Sequence, residues 1–441
     1  MKHGPFSARR QVLAAQLAKH GDGIAIIPTA PERVRNRDSH HPYRFDSYFW
    51  YLSGFPEPEA VVVLCCGDSA QTPQSILFCR EKNEEREIWD GYRHGPQGAA
   101  EIFGFDLAYP IGELETRLPE LMADRSILWH SLGHDTEWDQ RIATALNAVR
   151  AQSRAGKRAP REIRDLRAKL DEMRLIKDGS EIDIMRRAAA ISSAGHARAM
   201  RHCRPEIAEY EIEAELTHEF RSRGADGHAY TPIVAGGNNA CVLHYIENNR
   251  LLPDNGLVLI DAGCELEGYA ADITRTFPVS GRFSSAQRDA YEIVLAAQAA
   301  AIDTIRPGTS FMAYHDAAVR VLTQGMIDLG LLSGSVDGAI ESGTYKRFYM
   351  HRTGHWLGLD VHDAGEYKEN TEGGEWIKLA AGMTLTVEPG LYIRPADDVP
   401  QALHGIGIRI EDDVVVTADG ADVYTDAPKT VADIEEVMRH D

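Results

Sequence analysis

Four carboxylates and a cluster of histidines stand out as residues able to do chemistry together. The apolar run Leu257-Val258-Leu259-Ile260 ends in Asp261, and a second acid, Asp272, sits eleven residues on inside the β-forming stretch 269–277. An unpaired charge at the end of a buried strand is costly. With a turn at Leu266-Glu267, the two aspartates are expected to face each other across a hairpin, with Cβ atoms about 5 Å apart. Facing carboxylates repel, so this arrangement needs a shared proton or a cation between them. The ordinary alternative is a hairpin in which Asp272 simply pairs with Arg275.

Three histidines, His351, His355 and His362, fall within twelve positions of residues 350–363. Arg352 stands where the His-Glu-x-x-His zinc motif requires glutamate, and Gly354 and Gly358 disfavour a helix, so this is a loop-and-strand cluster. Glu388 closes another apolar strand, 385–387, and Pro389 removes a ladder hydrogen bond directly after it. In Gly405-Ile406-Gly407-Ile408-Arg409-Ile410-Glu411, strand alternation places the isoleucines on one face and Gly407, Arg409 and Glu411 on the other. Taken singly, each feature has a plain explanation as a hairpin, a polar loop or a salt bridge. Together they describe an oxygen-rich pocket that four acids would destabilise without divalent metal. Four carboxylates and an imidazole suffice for two hard ions, favouring Mn²⁺, with Co²⁺, Fe²⁺ or Zn²⁺ possible. Two such ions supply a nucleophile from water at neutral pH and a Lewis acid for a carbonyl.

The elements that must position these groups divide into two sets. Residues 7–20 have helical apolar spacing, whereas 24–27, 60–66, 75–79 and 126–130 read as strands. Helices are expected at 95–103 and 112–122, giving an α/β layer domain that ends near 150. The basic, polar stretch 152–164 leads to a boundary expected at 165–175, dividing residues 1–172 from 173–441. Ser180 is the expected cap of a long helix, with Asp183 at the capping-box position. That helix should bury Ile182, Met185, Ala189, Ile191 and Ser192. A second helix, 207–223, should end at Gly224. Helices at 286–305 and 311–329, with strands at 257–261, 269–277, 383–387 and 406–416, make the second half an α+β layer.

With 441 residues, two domains are the default. The net charge of −20 argues against nucleic acid or anionic membrane as partners. The greasiest short stretch, 60–66, is only a strand long. Six cysteines without Cys-x-x-Cys spacing form no disulfide framework, which points to a reducing cytoplasm.

In this order, the motifs resemble the pita-bread metallopeptidases, the family of methionine aminopeptidase, prolidase and Xaa-Pro aminopeptidase. The segments that carry the likeness are Asp261-Ala-Gly-Cys with Asp272-Ile-Thr-Arg-Thr-Phe-Pro, the stretch from His355 to Asp363, Thr386-Val-Glu-Pro-Gly-Leu-Tyr and residues 405–413. In the first half, Asp38, Pro42-Tyr-Arg and the stretch 49–60 resemble the amino-terminal domain of the Xaa-Pro aminopeptidase branch. The fold so implied is an α/β amino-terminal domain, concerned with substrate access and oligomerisation, plus an α+β pita-bread catalytic domain. The resemblance implies that Asp261, Asp272, His355, Glu388 and Glu411 bind metal, with Glu388 also helping to move a proton. It places His244 near the scissile bond and His362 beside the tetrahedral intermediate, and makes His351, Tyr230, Tyr392 and Arg409 supporting residues. Asp38 is implied in substrate binding, and Trp89 in completing a neighbouring subunit's site.

The implied activity is release of the amino-terminal residue from peptides with proline second, through attack of a metal-bridging hydroxide, by a homodimer or homotetramer. Because the imide nitrogen carries no hydrogen, aminopeptidases that bind that N–H are excluded from such substrates. The runner-up is a prolidase acting on Xaa-Pro dipeptides only. A second alternative is a metal-free binding protein or creatinase-like hydrolase of the same fold. Arg352, where relatives usually carry a small or apolar residue, either alters the substrate subsite or points to solvent; it leaves the ligands untouched and so bears on fine specificity rather than activity.

Overall fold

The computed structural model describes residues 4–67, 74–369 and 373–439, and the chain divides into two compact units, Met1–Met173 and Arg174–Asp441. In the first, a six-stranded mixed sheet runs in the order Leu107–Pro110, Gln74–Cys79, Val61–Cys66, Gly23–Pro28, Ile127–Trp129, Glu162–Arg164. Gly23–Pro28 pairs antiparallel with Val61–Cys66 and parallel with Ile127–Trp129. The two central strands are buried almost throughout, which explains why they read as continuous apolar runs rather than alternating ones. Ile24, Ile26, Val61, Val63, Ile76 and Phe78 pack one face of the sheet against Leu114, Leu118 and Met122 and against Ile142, Leu146 and Val149. The last three lie on Thr136–Ala151, a helix that sequence periodicity did not single out.

The second unit is α+β. Helices Gly179–His202 and Glu209–Ser222 pack together, as do Ser285–Ile302 and Ala313–Asp328, around short antiparallel strands. The first of these helices is capped by Asp178, not Ser180. The Asp178 carboxylate accepts from the Ser180 and Glu181 amides, and Glu181 returns a bond to the Asp178 amide. This is a capping box with the usual glutamate at its third position, two residues earlier than expected. Met185, Ala189 and Ser192 are buried, as expected, while Ile182 and Ile191 are half-buried.

The strand register around the aspartates also differs from expectation. The turn falls at Glu267-Gly268, both with positive φ (51° and 84°), the conformation a two-residue primed turn requires. Leu266 therefore pairs with Tyr269, and Asp261 pairs with Thr274 rather than Asp272. Two expected strands are interrupted: 269–277 breaks into Tyr269–Ala270 and Thr274–Pro278, and 406–416 into Ile406–Arg409 and Asp412–Val416. Likewise Glu388 and Pro389 separate Thr384–Val387 from Gly390–Ile393. Each break re-aims a side chain, as irregularities in sheets commonly do near functional sites. Asp272, Glu388 and Glu411 lie in the three breaks, and Asp261 ends its strand.

Candidate metal centre and active site

The broken strands converge on one cavity of about 710 Å³ in the second unit, within the usual range for small-ligand sites. Asp261, Asp272, His355, Glu388 and Glu411 line it, together with Tyr230, His244, His351, His362 and Arg409. Backbone hydrogen bonds fix the acids from outside the strand ladders. The Glu411 amide donates to the Thr274 carbonyl (3.0 Å), the Glu388 amide to the Thr353 carbonyl (2.8 Å), and the Asp272 amide to Asp413 Oδ2 (3.1 Å). Two glycines permit this close approach. A Cβ on Gly263 would overlap the Ala271 carbonyl, and one on Gly354 the Thr386 carbonyl.

The register shift places Asp272 diagonally from Asp261, yet both still meet. The Tyr230 hydroxyl lies 2.6 Å from Asp261 Oδ1 and 2.5 Å from Asp272 Oδ1. A hydroxyl has one proton to donate, so the three oxygens call for a further proton or a cation. Arg409 does not pair with Glu411, its neighbour in the sequence pattern. Its Nη2 donates to Asp261 Oδ2 (2.6 Å), its Nη1 to the Tyr392 hydroxyl (3.1 Å) and its Nε to Thr274 Oγ1 (3.1 Å). Thr274 in turn donates to Glu411 Oε2 (2.6 Å). Nor does Asp272 pair with Arg275, which is wholly buried and donates to Asp412 Oδ1 (2.6 Å).

The histidines are oriented by their second nitrogens. His355 Nδ1 sits 2.9 Å from the Trp356 carbonyl, which leaves Nε2 facing Asp272 Oδ2 (3.4 Å) and Glu388 Oε1 (3.8 Å). Backbone anchoring of this kind is how protein sites present an imidazole to a metal. Ligand atoms of Asp272, His355 and Glu411 all lie within 4.8 Å of one another. His351 Nδ1 meets the Arg352 carbonyl (2.7 Å) and its Nε2 the Tyr392 hydroxyl (2.8 Å). His362 packs edge-on against His355, with ring centroids 4.3 Å apart.

The electrostatics describe a site short of positive charge. Burial, reinforced by Asp272, Glu388 and Asp261, pushes Glu411 well above the carboxylate range. Burial also lifts Glu388 to about 7, against the opposing charges of His355 and Arg409. Asp261 is raised by burial, with Arg409 pulling the other way. At Asp272 the cost of burial is outweighed by its bond to His355, and the net direction is downward. His355 is the counterpart: burial lowers it, but Asp272 and Glu388 carry it up to about 9. Burial and Arg409 hold His351 down at about 3. An oxygen-rich, acid-heavy donor set with one well-presented imidazole fits a hard or borderline divalent cation.

Two expected residues lie elsewhere. Asp38 belongs to the first unit, exposed in the turn between Val34–Asn36 and Ser39–His40. Trp89 is also in the first unit, 83 % exposed on the short helix Glu84–Asp90. Tyr392 stands behind the cavity rather than in its lining, joined to Arg409 and His351. Sequence reasoning missed Thr274, Thr353 and Asp413. Thr274 was within reach, because two-residue alternation from Asp272 marks position 274 for the same face.

Residues 183–418 match the model of metallopeptidase family M24, and residues 6–129 that of the aminopeptidase P N-terminal domain. The chain is 44 % identical over 434 residues to the Xaa-Pro aminopeptidase of Escherichia coli strain K12, spanning 98 % of this chain and 97 % of that one. Its structure is similar to that of the Pseudomonas aeruginosa aminopeptidase PepP, with 50 % identity, 99 % of each chain covered and a TM-score of 0.95. Zinc-substituted E. coli aminopeptidase P in complex with product is a further neighbour, at 44 % identity, 98 % and 97 % coverage and a TM-score of 0.94. The converging carboxylates and imidazole thus sit in the pita-bread catalytic domain of a hydrolase, and the chain belongs to metallopeptidase family M24, with an aminopeptidase P amino-terminal domain before it.

Proposed function

We propose that this enzyme releases the amino-terminal residue from peptides whose second residue is proline. The observation that carries the reading is the convergence of Asp261, Asp272, His355, Glu388 and Glu411 on one cavity, with Tyr230 bridging the two aspartates. These five would hold two divalent ions per subunit, Mn²⁺ preferred, with Co²⁺, Fe²⁺ or Zn²⁺ as alternatives. When bound, the metal supplies a nucleophile from water at neutral pH and polarises the scissile carbonyl.

The remaining steps fall to the protein's own side chains. Glu388, on the cavity wall beside His355 and Asp272, is placed to take up and return a proton at its carboxylate. Burial keeps His362 below the usual imidazole range, so it is neutral there and can donate to a developing oxyanion, with His244 on the same cavity wall. Arg409, Tyr392 and His351 form a hydrogen-bonded chain that holds Asp261 from one side. Leu243, Ile246 and Val361 give the cavity apolar wall against which a pyrrolidine ring can pack.

Beyond the site, we assign the first unit to substrate access and oligomerisation, and the chain to a homodimer or homotetramer. Support comes from Ile88, Trp89 and Tyr92, all strongly exposed around one short helix. A cytoplasmic location is supported by six buried, unpaired cysteines. Among the described residues no helix is long and apolar enough to cross a membrane. Turnover of an Ala-Pro dipeptide against a longer Ala-Pro peptide tests the substrate reading. Preference for the longer peptide supports it, and dipeptide-only turnover makes the enzyme a prolidase. Purified protein that takes up less than one ion per chain at saturating metal would instead be a metal-free member of the fold.

A further inference from the structure

Among the described residues, Arg352 stands beside the reacting groups without a partner of opposite charge. It is exposed and lines the same cavity as His351, His355 and Glu388, and its guanidinium carbon lies 5.0 Å from the ring centroid of Trp376. Lys368 Nζ lies 5.0 Å from that same centroid. The backbone builds this arrangement. Lys368 and Trp376 are bridge partners, flanked by bonds from the Ile377 amide to the Tyr367 carbonyl (3.1 Å) and from the Glu369 amide to the Glu375 carbonyl (2.8 Å). Tyr367 itself lines the cavity, and Phe311 stacks on Trp376 at 6.3 Å and 23°. Among the described residues, neither Arg352 nor Lys368 pairs with an aspartate or glutamate.

An aromatic face holds a cation in place without neutralising it. The guanidinium therefore keeps its N–H donors for a ligand, and its planar fork matches a carboxylate. In a chain of net charge −20, two cations on one ring beside the substrate cavity, without an acidic partner among the described residues, are a local reversal of sign. Peptides offer one group that answers it, a carboxylate.

We propose that Arg352, held on Trp376 and assisted by Lys368, is a specificity residue that selects Xaa-Pro peptides carrying a carboxylate close to the scissile bond. This rests on the aminopeptidase reading above. The carboxylate has two possible sources: the side chain of the first residue, or a group beyond the proline. The test uses full-length, metal-loaded protein and four peptides: Ala-Pro-Ala amide, Asp-Pro-Ala amide, Ala-Pro-Asp amide and Ala-Pro-Ala free acid. For the wild type, kcat/KM for an acidic peptide should exceed that for the neutral amide by about tenfold, the scale of one charge-assisted contact. Arg352→Gln should bring that ratio close to one, Lys368→Gln should lower it part of the way, and high salt should weaken it in the wild type. The arm showing the preference identifies the source. Turnover of all four peptides without preference, or a ratio unchanged in Arg352→Gln, overturns the proposal alone. No turnover of any of the four overturns it together with the reading on which it rests.

Discussion

Arg409 holds Asp261, not Glu411, although the strand pattern sends Arg409 and Glu411 into the same space. The Nη2–Oδ2 distance is 2.6 Å, and both partners are largely shielded from water. The same guanidinium also donates to Tyr392 and Thr274, so one planar fork fixes three groups around the acids.

Lysine cannot reproduce that fork. Arg409→Lys is expected to keep the fold and lower metal affinity or kcat by about 10- to 100-fold, as loss of outer-shell support does elsewhere. Metal titration and steady-state kinetics on the variant, with circular dichroism to confirm folding, give the answer. Unaltered affinity and kcat would remove Arg409 from the site's machinery.

Tyr230 makes a similar case from the opposite wall. Its hydroxyl meets both aspartates, and Tyr230→Phe deletes only that oxygen. A fall in kcat or metal affinity of about 10- to 100-fold is expected, with the metal-free protein destabilised by about 1 to 3 kcal/mol as the buried aspartates lose a hydrogen-bond donor. Differential scanning fluorimetry alongside metal titration separates the two effects.

Loading the site should release protons. Without metal, burial holds Glu388 at about 7 and Glu411 well above its usual range, while its acidic neighbours carry His355 up to about 9. At pH 7 these groups therefore retain protons that the ligating forms lack, so affinity should rise as pH rises from about 6 to 9. Calorimetric titration of Mn²⁺ in two buffers of different ionisation enthalpy should show a buffer-dependent heat equal to about one or more protons released. Identical heats in both buffers would contradict this charge balance.

A second pH effect concerns folding rather than chemistry. His196 is wholly buried on the helix Gly179–His202, its Nε2 2.9 Å from the Ala262 carbonyl, and burial lowers it to about 4. The unfolded chain takes up this proton near pH 6.5 and the folded chain does not until about pH 4. Its stabilising contribution is thus complete above about pH 6.5 and falls by about 3 kcal/mol on acidification to pH 4. Urea unfolding of wild type and His196→Gln at several pH values should show a shallower slope in the variant over that interval.

Much of this site was legible in the sequence because its acids are misplaced by ordinary folding standards. Asp261, Glu388 and Glu411 follow apolar β-forming runs, where a charge is costly unless something compensates it. What the sequence hid was local geometry. The Asp261–Asp272 register turned on whether Glu267-Gly268 or Leu266-Glu267 forms the turn, and positive φ at both central positions decided it. Arg275 and Asp272 looked like a pair three residues apart, but Arg275 reaches Asp412, more than a hundred residues away. Burial of both groups, which no local pattern reveals, dictates that partnership. Pro389 signalled the break at 388–389, whereas those at 271–273 and 410–411 sit inside longer β-forming stretches and follow from backbone bonds to Cys264 and Thr274 that the local pattern did not reveal.

The five converging side chains are expected to make the protein a metal-dependent aminopeptidase. The most direct test titrates Mn²⁺ into chelator-stripped protein while following release of the first residue from an Ala-Pro peptide. Activity should start near zero, reach a plateau at about two ions per chain, the number four carboxylates and one imidazole can hold, and be abolished in Glu411→Gln. Full activity in the stripped protein, or a Glu411→Gln variant as active as wild type, would contradict it.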